Sequence, residues 1–240
     1  MKISVVLAAY KGEKFLAEQL ASILPQLGPD DELIVSDDLP YGLTKVLVDI
    51  FAGQDSRVRY LAGKGEGVCA NFENAINAAT GDIIFLSDQD DVWLPEKVEI
   101  VLREFENGAS VVLHDAKITD AKLHITAESY FAVHKSKPGF FRNLLRNSYV
   151  GCCMAFRAGL KDTILPFPKG LPMHDWWIGL LGERTKKAVM VCRQLILYRR
   201  HSETVTGRKT SAVQKIVWRV KMLFFIASRI LSKTKDRGAQ

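Results

Sequence analysis

Long apolar runs are scarce in this sequence. No segment of its 240 residues reaches the roughly twenty consecutive apolar residues that a membrane-spanning helix needs, and the densest run is MLFFIA at 222–227. The N-terminal ISVVLAAY offers only about eight residues and lacks a signal-peptide cleavage region. We therefore expect this segment to be a core strand, and the protein to be cytoplasmic or peripheral to a membrane.

Cysteine is also rare, and its spacing fits no metal site. The four cysteines are Cys69, Cys152, Cys153 and Cys192, and two of them are adjacent. This arrangement lacks the paired spacing of zinc-binding cysteines, so reduced thiols are the expected state.

Two glycine-rich phosphate-binding motifs are absent as well. AAYKGE, after the first apolar run, has one glycine where a dinucleotide fingerprint needs three. GKGEG at 63–67 lacks the lysine and hydroxyl pair that ends a P-loop. Any bound phosphate must therefore be neutralised by another device, for which a metal ion on acidic residues is the leading candidate.

The net charge of +6 is distributed unevenly along the chain. Acidic residues concentrate before residue 130, whereas the segment from Arg193 onward carries mainly Lys and Arg. This basic end indicates an anionic ligand or surface. It contains no recognised nucleic-acid-binding motif, which argues against a nucleic-acid partner.

The order of apolar patterns predicts an α/β fold with a mostly parallel, Rossmann-like central sheet flanked by helices. Strand-like runs ISVVLAA, ELIVSDD, VRYLAG and GDIIFLSD alternate with helical patterns at about 13–24, 43–53 and 67–79. A charged helix should follow Pro95 and end near Asn107, before the strand SVVLHDA. Residues 117–150 should be irregular with short helices; GCCMAFR should form a strand, PMHDWWIGLLGER a helix, and KKAVMVCRQLILYRR extended structure.

Three carboxylates gather where the fourth predicted strand ends, in FLSDQDDVW. Asp88, Asp90 and Asp91 lie within four positions, and such like charges repel unless a cation or hydrogen-bond donors offset them. A hard divalent cation with oxygen ligands is one explanation. A solvated turn that caps the next helix is the other. The segment by itself leaves both open.

Five motifs in order resemble the family-2 glycosyltransferases with the GT-A fold, particularly rhamnosyltransferase-like members of bacterial polysaccharide and O-antigen pathways. They are ISVVLAAYKGEKFLAEQLASIL, ELIVSDD, FLSDQDDVW, MHDWW and LYRRHSETVTG. The resemblance implies an inverting, metal-dependent transfer of a hexosyl or rhamnosyl group from a UDP- or dTDP-sugar to a saccharide acceptor. It also implies a GT-A domain over 1–210, with a nucleotide-binding half at about 1–108 and an acceptor half at about 109–210.

The resemblance assigns roles to individual residues. Asp90 and Asp88 match the D-x-D motif that holds Mn²⁺ or Mg²⁺, with Asp88 also near the ribose. His201 matches a C-terminal histidine that reaches the metal or the diphosphate. The positions that line the base and ribose are Ala9, Tyr10, Glu13 and Asp38.

The acceptor half carries the remaining candidates. Asp175 in MHDWW resembles the catalytic base, although an acid at a helix start is also a common N-cap. Trp176 and Trp177 could stack on a sugar, or pack in the core. Arg199 and Arg200 could offset diphosphate charge, and a solvated basic loop is the alternative.

One loop departs from the family pattern. In DDLPYGLT, Leu39 and Pro40 replace the small polar pair, and Pro40 supplies no N–H to a ligand. Two other classes therefore stay open: another metal-dependent nucleotide enzyme such as a nucleotidyltransferase, and a degenerate, non-catalytic binding module. Retention of SDQDD, Asp175 and His201 argues against the non-catalytic binding module.

The end of the chain, 211–240, is predicted to be an amphipathic basic helix and tail. An apolar stripe recurs at three- and four-residue spacing, and the opposite side mixes aromatic, apolar and basic residues. We expect the aromatic and basic side of 211–232 to contact an anionic membrane, which suits a polyprenyl-diphosphate-linked acceptor on the inner membrane. A dimer seam or plain packing are the alternatives. The stripe is Val213, Ile216, Val217, Val220, Leu223, Phe224, Ala227, Ile230 and Leu231; the other side has Trp218, Met222, Phe225, Ile226, Lys215, Arg219, Lys221 and Arg229.

Overall fold

The structure, a computed structural model, describes residues 1–201 and 211–238. Four parallel strands form one half of its sheet in the order β3-β2-β1-β4. Their apolar residues are almost entirely buried in β1, β2 and β4, as expected for parallel strands with helices on both faces. The strands are β1 (Ile3–Ala9), β2 (Glu32–Asp37), β3 (Val58–Ala62) and β4 (Ile83–Asp88); the connecting helices are α1 (Leu16–Ile23), α2 (Leu43–Gln54) and α3 (Val68–Ala78).

The second half of the sheet is mixed. β8 pairs antiparallel with both β4 and β6, and β9 then runs parallel to β6. The short β5 pairs antiparallel with β9, and β7 pairs antiparallel with β6. These strands are β5 (Val92–Trp93), β6 (Val111–Thr119), β7 (Ile125–Ala127), β8 (Met154–Arg157) and β9 (Ala188–Arg199). The predicted α/β class with a central sheet between helices is confirmed.

The remaining helices surround this second half. The predicted irregular region after residue 117 contains the end of β6, β7 and two short helices. Helix α4 begins two residues after Pro95 and ends one residue before Asn107, close to its predicted bounds. The helices are α4 (Lys97–Glu106), α5 (Tyr130–His134), α6 (Phe140–Leu145), α7 (Lys161–Ile164), α8 (His174–Glu183) and α9 (Ala212–Gly238).

Helix α9 packs against the domain with the apolar and aromatic residues of the side that the sequence predicts to face a membrane. Met222 and Ile226 are buried, and Trp218 and Phe225 pack against the core. The apolar stripe that could have been core is largely exposed. The prediction that the aromatic side faces a membrane is therefore wrong for Trp218, Met222, Phe225 and Ile226, which cover the domain, whereas Lys215 and Lys221 of the same side are exposed. Among the described residues, no helix has the length and apolar content required to traverse a bilayer.

Candidate active site

The loops after β1 and β4 meet at the carboxyl edge of the parallel strands. The backbone N–H of Tyr10 donates to Gln89 Oε1 at 2.8 Å, and Gln89 Nε2 donates back to the Tyr10 carbonyl at 3.0 Å. Parallel pairing of β1 with β4 sets Ala8 beside Asp88, which places these loops next to each other. Ligand sites in open parallel sheets lie at this edge. The predicted donor and metal residues thus converge here.

Asp90 and His201 are brought together by strand pairing. The antiparallel contact of β5 with β9 folds the end of β9 back over the acidic loop, and Asp90 Oδ2 lies 2.7 Å from His201 Nε2. The ring of Phe15 packs 4.9 Å from the imidazole centroid. These two predicted metal ligands are 111 residues apart in sequence, yet they form one polar pair.

A second acidic group lies beside this pair. Ligand atoms of Asp88, Asp91 and Cys152 are all within 4.8 Å of one another. Burial, and to a smaller extent the negative charge of Asp90, raises the pKa of Asp91 to about 7. Burial and the neighbouring acids Asp91 and Asp90 raise the pKa of Asp88 well above its ordinary value. The carboxylates therefore share an environment that favours a proton or a cation between them.

Asp91 differs from the helix cap considered from the sequence. It is fully buried, and its Oδ1 accepts the backbone N–H of Arg199 at 2.9 Å. Its Oδ2 has no hydrogen-bond partner within the described part of the chain. Helix α4 instead begins after Glu96. Asp91 thus ties the end of β9 to the acidic loop.

A buried lysine lies next to the acidic group. Lys97 Nζ donates to the Cys152 carbonyl at 2.8 Å and lies 3.8 Å from the centroid of Trp93. Burial lowers its pKa to about 8, although Asp91 and Asp88 favour its charged form. The sequence does not identify Lys97 or Cys152 as site residues. The residues around each of them follow an ordinary helix or strand pattern, with nothing to mark a buried site.

The donor set fits a hard divalent cation. Two neighbouring groups offer ligands of the kind that Mn²⁺ or Mg²⁺ takes. One is the pair of Asp88 and Asp91 carboxylates, and the other is the Asp90 carboxylate with the His201 imidazole. The Cys152 thiol contributes little to such a site, since burial raises its pKa well above the ordinary value and keeps the soft sulfur protonated. The unpartnered oxygen of Asp91 marks the cluster as electrostatically incomplete without a cation or a proton.

Asp175 lies on the first turn of α8, one residue after the helix start. Its carboxyl accepts the Trp176 backbone N–H at 2.6 Å and is only 6% exposed. Burial raises its pKa to about 7, against the opposing effect of N–H groups from Trp176 and Gly151. The charge of Asp175 is also among the causes that raise the pKa of Asp88. Asp175 therefore lies near enough to the acidic loop to influence it electrostatically, and its role as base stays a prediction.

Trp176 and Trp177 are core residues. They are 5% and 0% exposed, respectively. Trp176 Nε1 donates to the Asn143 carbonyl at 2.8 Å, and Trp177 Nε1 donates to the Ile164 carbonyl at 2.9 Å. The fully buried ring of Trp177 offers no face to a sugar, so its predicted role as an acceptor wall is wrong. Both rings instead anchor α8 to its neighbours.

Arg199 is committed to the protein itself. Its Nε donates to the Asp90 carbonyl at 2.7 Å, Nη1 donates to the Ala121 carbonyl at 2.6 Å, and Nη2 pairs with Glu18. The guanidinium also lies over Phe15 and is 3% exposed. All three nitrogens are used, so the prediction that Arg199 binds diphosphate is corrected: it positions the Asp90 loop.

Arg200 remains a candidate for diphosphate contact. Its backbone N–H donates to the Thr119 carbonyl at 2.9 Å, and its guanidinium carbon lies 5.8 Å from the centroid of Tyr198. The residue is half-buried, unlike Arg199.

The predicted base and ribose residues separate into two kinds. Tyr10 is 54% exposed and Glu13 is exposed, so both side chains can meet a ligand. Ala9 is buried, and its carbonyl accepts from the Asp38 backbone at 2.8 Å and from Asn71 Nδ2 at 3.1 Å. These contacts make Ala9 part of the frame under the site.

Asp38 also forms hydrogen bonds within the protein. Its carboxylate accepts the backbone N–H groups of Gly65 and Gly67 at 2.9 and 2.7 Å, which fastens the loop after β3. Beside it, Tyr41 in the unusual DDLPYGLT loop is 98% exposed. The donor roles of Ala9, Tyr10, Glu13 and Asp38 stay predictions.

The chain matches the family model described as Glycosyl transferase family 2 over residues 4–165. It is 23% identical over 223 residues to WfgD of Escherichia coli, a UDP-Glc:alpha-D-GlcNAc-diphosphoundecaprenol beta-1,3-glucosyltransferase, covering 89% of this chain and 83% of that protein. It is 34% identical over 113 residues to glycosyltransferase GlyG of Streptococcus pneumoniae, covering 46% of this chain and 38% of that protein. An uncharacterized glycosyltransferase of Nostoc sp., alr2836, is 28% identical over 122 residues, covering 50% and 38%. The chain thus spans less than two fifths of the last two proteins.

Solved structures show the same fold at low identity. Staphylococcus aureus TarS 1–349 in complex with UDP-GlcNAc superposes with a TM-score of 0.73 at 17% identity, covering 96% of this chain and 67% of that one. Glucosyl-3-phosphoglycerate synthase from Mycobacterium tuberculosis, in complex with Mn²⁺, UDP and phosphoglyceric acid, gives 0.59 at 21% identity, covering 95% and 78%. The fold is therefore GT-A, as the sequence motifs predicted.

Proposed function

Because the chain belongs to glycosyl transferase family 2, we propose that it is an inverting, metal-dependent enzyme that moves a sugar from a nucleoside diphosphate to an acceptor hydroxyl. The observation that carries this proposal is the convergence of Asp90, His201 and Asp88 with a buried Asp175 on one region of the fold. The first three are suited to the donor diphosphate and its cation. The fourth is suited to the acceptor.

Asp90, Asp88 and His201 are the residues proposed to hold Mn²⁺ or Mg²⁺. When bound, the cation supplies positive charge that offsets the charge developing on the leaving diphosphate. Arg199 fixes the Asp90 backbone and Asp91 fixes the Arg199 backbone, so the two loops hold the ligands in place. This organisation avoids reorientation of the carboxylates when the donor binds.

Asp175 is the proposed general base. In a single displacement, its carboxylate takes the acceptor hydroxyl proton as the acceptor oxygen bonds to the anomeric carbon and the bond to the diphosphate breaks. A pKa of about 7 suits this task, since a base is most effective when its pKa is near the working pH. The 2.6 Å hydrogen bond from the Trp176 backbone N–H holds the carboxylate in one orientation.

The donor is proposed to be a UDP- or dTDP-sugar that contacts the exposed Tyr10 and Glu13. Support comes from TarS, whose structure contains UDP-GlcNAc, and from WfgD, whose name specifies UDP-Glc. The nucleotide would occupy the half at about 1–108 and the acceptor the half at about 109–210. The transferred group is proposed to be a hexosyl or a rhamnosyl group.

The acceptor is proposed to be a saccharide on a polyprenyl diphosphate, in synthesis of a cell-surface polysaccharide or O-antigen. WfgD supports this choice, since its acceptor is a sugar on diphosphoundecaprenol and the match covers 89% of this chain. A lipid-linked acceptor would bring the enzyme to the cytoplasmic face of the membrane.

Thermal unfolding with a panel of nucleoside diphosphates tests the function. UDP, dTDP and GDP are added with Mn²⁺ or with a chelator, and one of them should raise the unfolding temperature only when metal is present, because a ligand that binds the folded state stabilises it. The donor sugar of the stabilising nucleotide is then assayed for transfer. A protein that no nucleoside diphosphate stabilises at millimolar concentration, with or without metal, would contradict the proposal.

A further inference from the structure

Helix α9 is fixed on the domain by its inward side. Arg229 Nη1 donates to the carbonyls of Thr163 and Leu165 at 2.6 and 2.8 Å. Arg219 donates through Nε and Nη2 to the Leu145 carbonyl of α6 at 2.9 and 2.6 Å. With Met222 and Ile226 buried, these contacts determine which side of the helix faces outward.

The outward side is an exposed apolar stripe. Residues 213–231 repeat apolar side chains at three- and four-residue spacing, over about 27 Å of helix. Phe224 is 69% exposed and Val213 is 70% exposed, so the domain leaves these side chains uncovered. Exposed apolar surfaces of this extent usually mark an interaction site. Its large exposed side chains are those of Val213, Ile216, Val217, Val220, Leu223, Phe224 and Leu231.

Helix α6 extends this surface sideways. The bond from Arg219 places the end of α6 beside α9, and on α6 Phe141 and Leu145 are 78% and 64% exposed. We call the exposed apolar residues of the two helices the α6–α9 surface. It is joined to the catalytic helix α8, because Trp176 of α8 bonds to Asn143 of α6 and Arg229 of α9 lies over Trp177.

The charged residues of α6, and those of α9 as far as Lys233, are all basic. Lys215 and Lys221 are exposed on α9, and Arg142 and Arg146 are exposed on α6 or directly after it. The sequence has no Asp or Glu in 130–146 or in 211–233. Glu73 and Asp162 of neighbouring elements lie beside Lys233, near the end of α9. An apolar stripe on helices whose own charged residues are basic along this length is complementary to an anionic lipid surface. Two copies of the chain packed through these helices would set their basic residues together without carboxylates from the same helices to pair them.

We propose that the α6–α9 surface lies on an anionic bilayer, with its apolar side chains in the headgroup region and its basic residues against lipid phosphates. The apolar side of α9 that meets lipid is thus opposite to the side formed by Trp218, Met222, Phe225 and Ile226, and the exposed Lys215 and Lys221 are the basic residues of α9 that reach the lipid phosphates. Docking there would hold α8, and with it Asp175, near the membrane. The purpose of this docking rests on the proposed lipid-linked acceptor, whereas the binding itself does not.

Flotation with vesicles of phosphatidylethanolamine and phosphatidylglycerol tests the surface, with pure phosphatidylcholine vesicles for comparison. The protein should float with the anionic vesicles at low salt and lose affinity as salt is added. Phe224→Asp should weaken binding at least tenfold, because it sets a carboxylate in the stripe. Replacing Lys221 by Gln should weaken binding about fivefold, the effect of one charge near an anionic surface.

Ile50→Asp is the matched control, since Ile50 is 54% exposed on α2 and lies outside the α6–α9 surface. It should bind vesicles as the original protein does. Unfolding temperature and stabilisation by nucleoside diphosphate are measured on all variants, so loss of folding or of the proposed function is seen separately. Equal vesicle binding by Phe224→Asp and the original protein would overturn the proposal. So would a dimer, seen by light scattering without vesicles, that Phe224→Asp dissociates; that result would assign the surface to a second copy.

Discussion

Replacing Asp175 by Asn should stabilise the protein at neutral and higher pH while it impairs transfer. In the unfolded chain this carboxyl ionises near pH 3.8, whereas burial raises its pKa in the folded protein to about 7. Between these values the folded state binds more protons than the unfolded state, so the free energy of unfolding falls as pH rises. A carboxyl needed in its charged form is thus held at a cost to stability.

The size of this effect follows from the two pKa values. A separation of about three pH units corresponds to about 4 kcal/mol, present as a penalty above pH 7 and absent below pH 4. Asn has nearly the same shape and can still accept the Trp176 backbone N–H. The Asn variant should therefore match the original protein at pH 4 and exceed its free energy of unfolding by up to about 4 kcal/mol at pH 8.

Urea denaturation between pH 4 and pH 8, in chelator, measures this difference. Asp88 and Asp91 also have raised pKa values and are present in both proteins, so the difference between the two curves reports Asp175 together with its charge coupling to Asp88. Asp30→Asn, at an exposed Asp before β2, controls for loss of a carboxylate. A difference between the Asp175→Asn variant and the original protein that stays constant with pH would refute the reasoning.

The same variant tests the proposed base. With Asn at 175, turnover should fall by about 10²–10⁴-fold while donor binding persists. For the original protein, the rate should fall about tenfold for each pH unit below about 7, as Asp175 takes up its proton. A full rate with the acceptor would restrict Asp175 to a structural role.

Three further changes examine the metal site and the packing around it. Asp90→Asn should weaken binding of Mn²⁺ alone at least tenfold, measured by electron paramagnetic resonance of free Mn²⁺, because a charged ligand is lost; unchanged binding would exclude Asp90 as a ligand. Arg199→Lys should lower the free energy of unfolding by about 1–3 kcal/mol in urea, because an ammonium cannot reach all three groups that the guanidinium contacts; equal stability would show that this network is dispensable. Gly179→Ala should cost about 1–3 kcal/mol, since the new Cβ would lie 2.5 Å from the Tyr149 ring, whereas Gly53→Ala on α2, with no atom within 4 Å, should be neutral or stabilising; similar effects of the two changes would contradict the packing argument.

The sequence by itself predicted the elements that depend on local pattern. Apolar runs identified β1, β2, β3 and β4, and three-residue and four-residue spacing identified the helices between them. Polar residues directly after these strands also fixed the edge of the sheet at which Asp88 and Asp90 lie, because parallel strands end at a common edge. The ordered motifs then indicated the family.

Only the tertiary structure decided how individual side chains are used. The sequence around Arg199 does not show that its guanidinium hydrogen-bonds to Glu18 and to two carbonyls, because these partners come from distant segments. Lys97 reads as an ordinary basic residue on an amphipathic helix, but the mixed half of the sheet covers it and lowers its pKa to about 8.

The orientation of helix α9 is also decided by the tertiary structure. Its spacing shows two apolar sides, but periodicity cannot tell which of them the domain covers. That choice depends on the carbonyls of Leu145, Thr163 and Leu165, which meet Arg219 and Arg229 and turn Met222 and Ile226 inward. The sequence determines that such a helix forms, whereas the shape and hydrogen-bonding groups of the surface beneath it determine which side remains exposed.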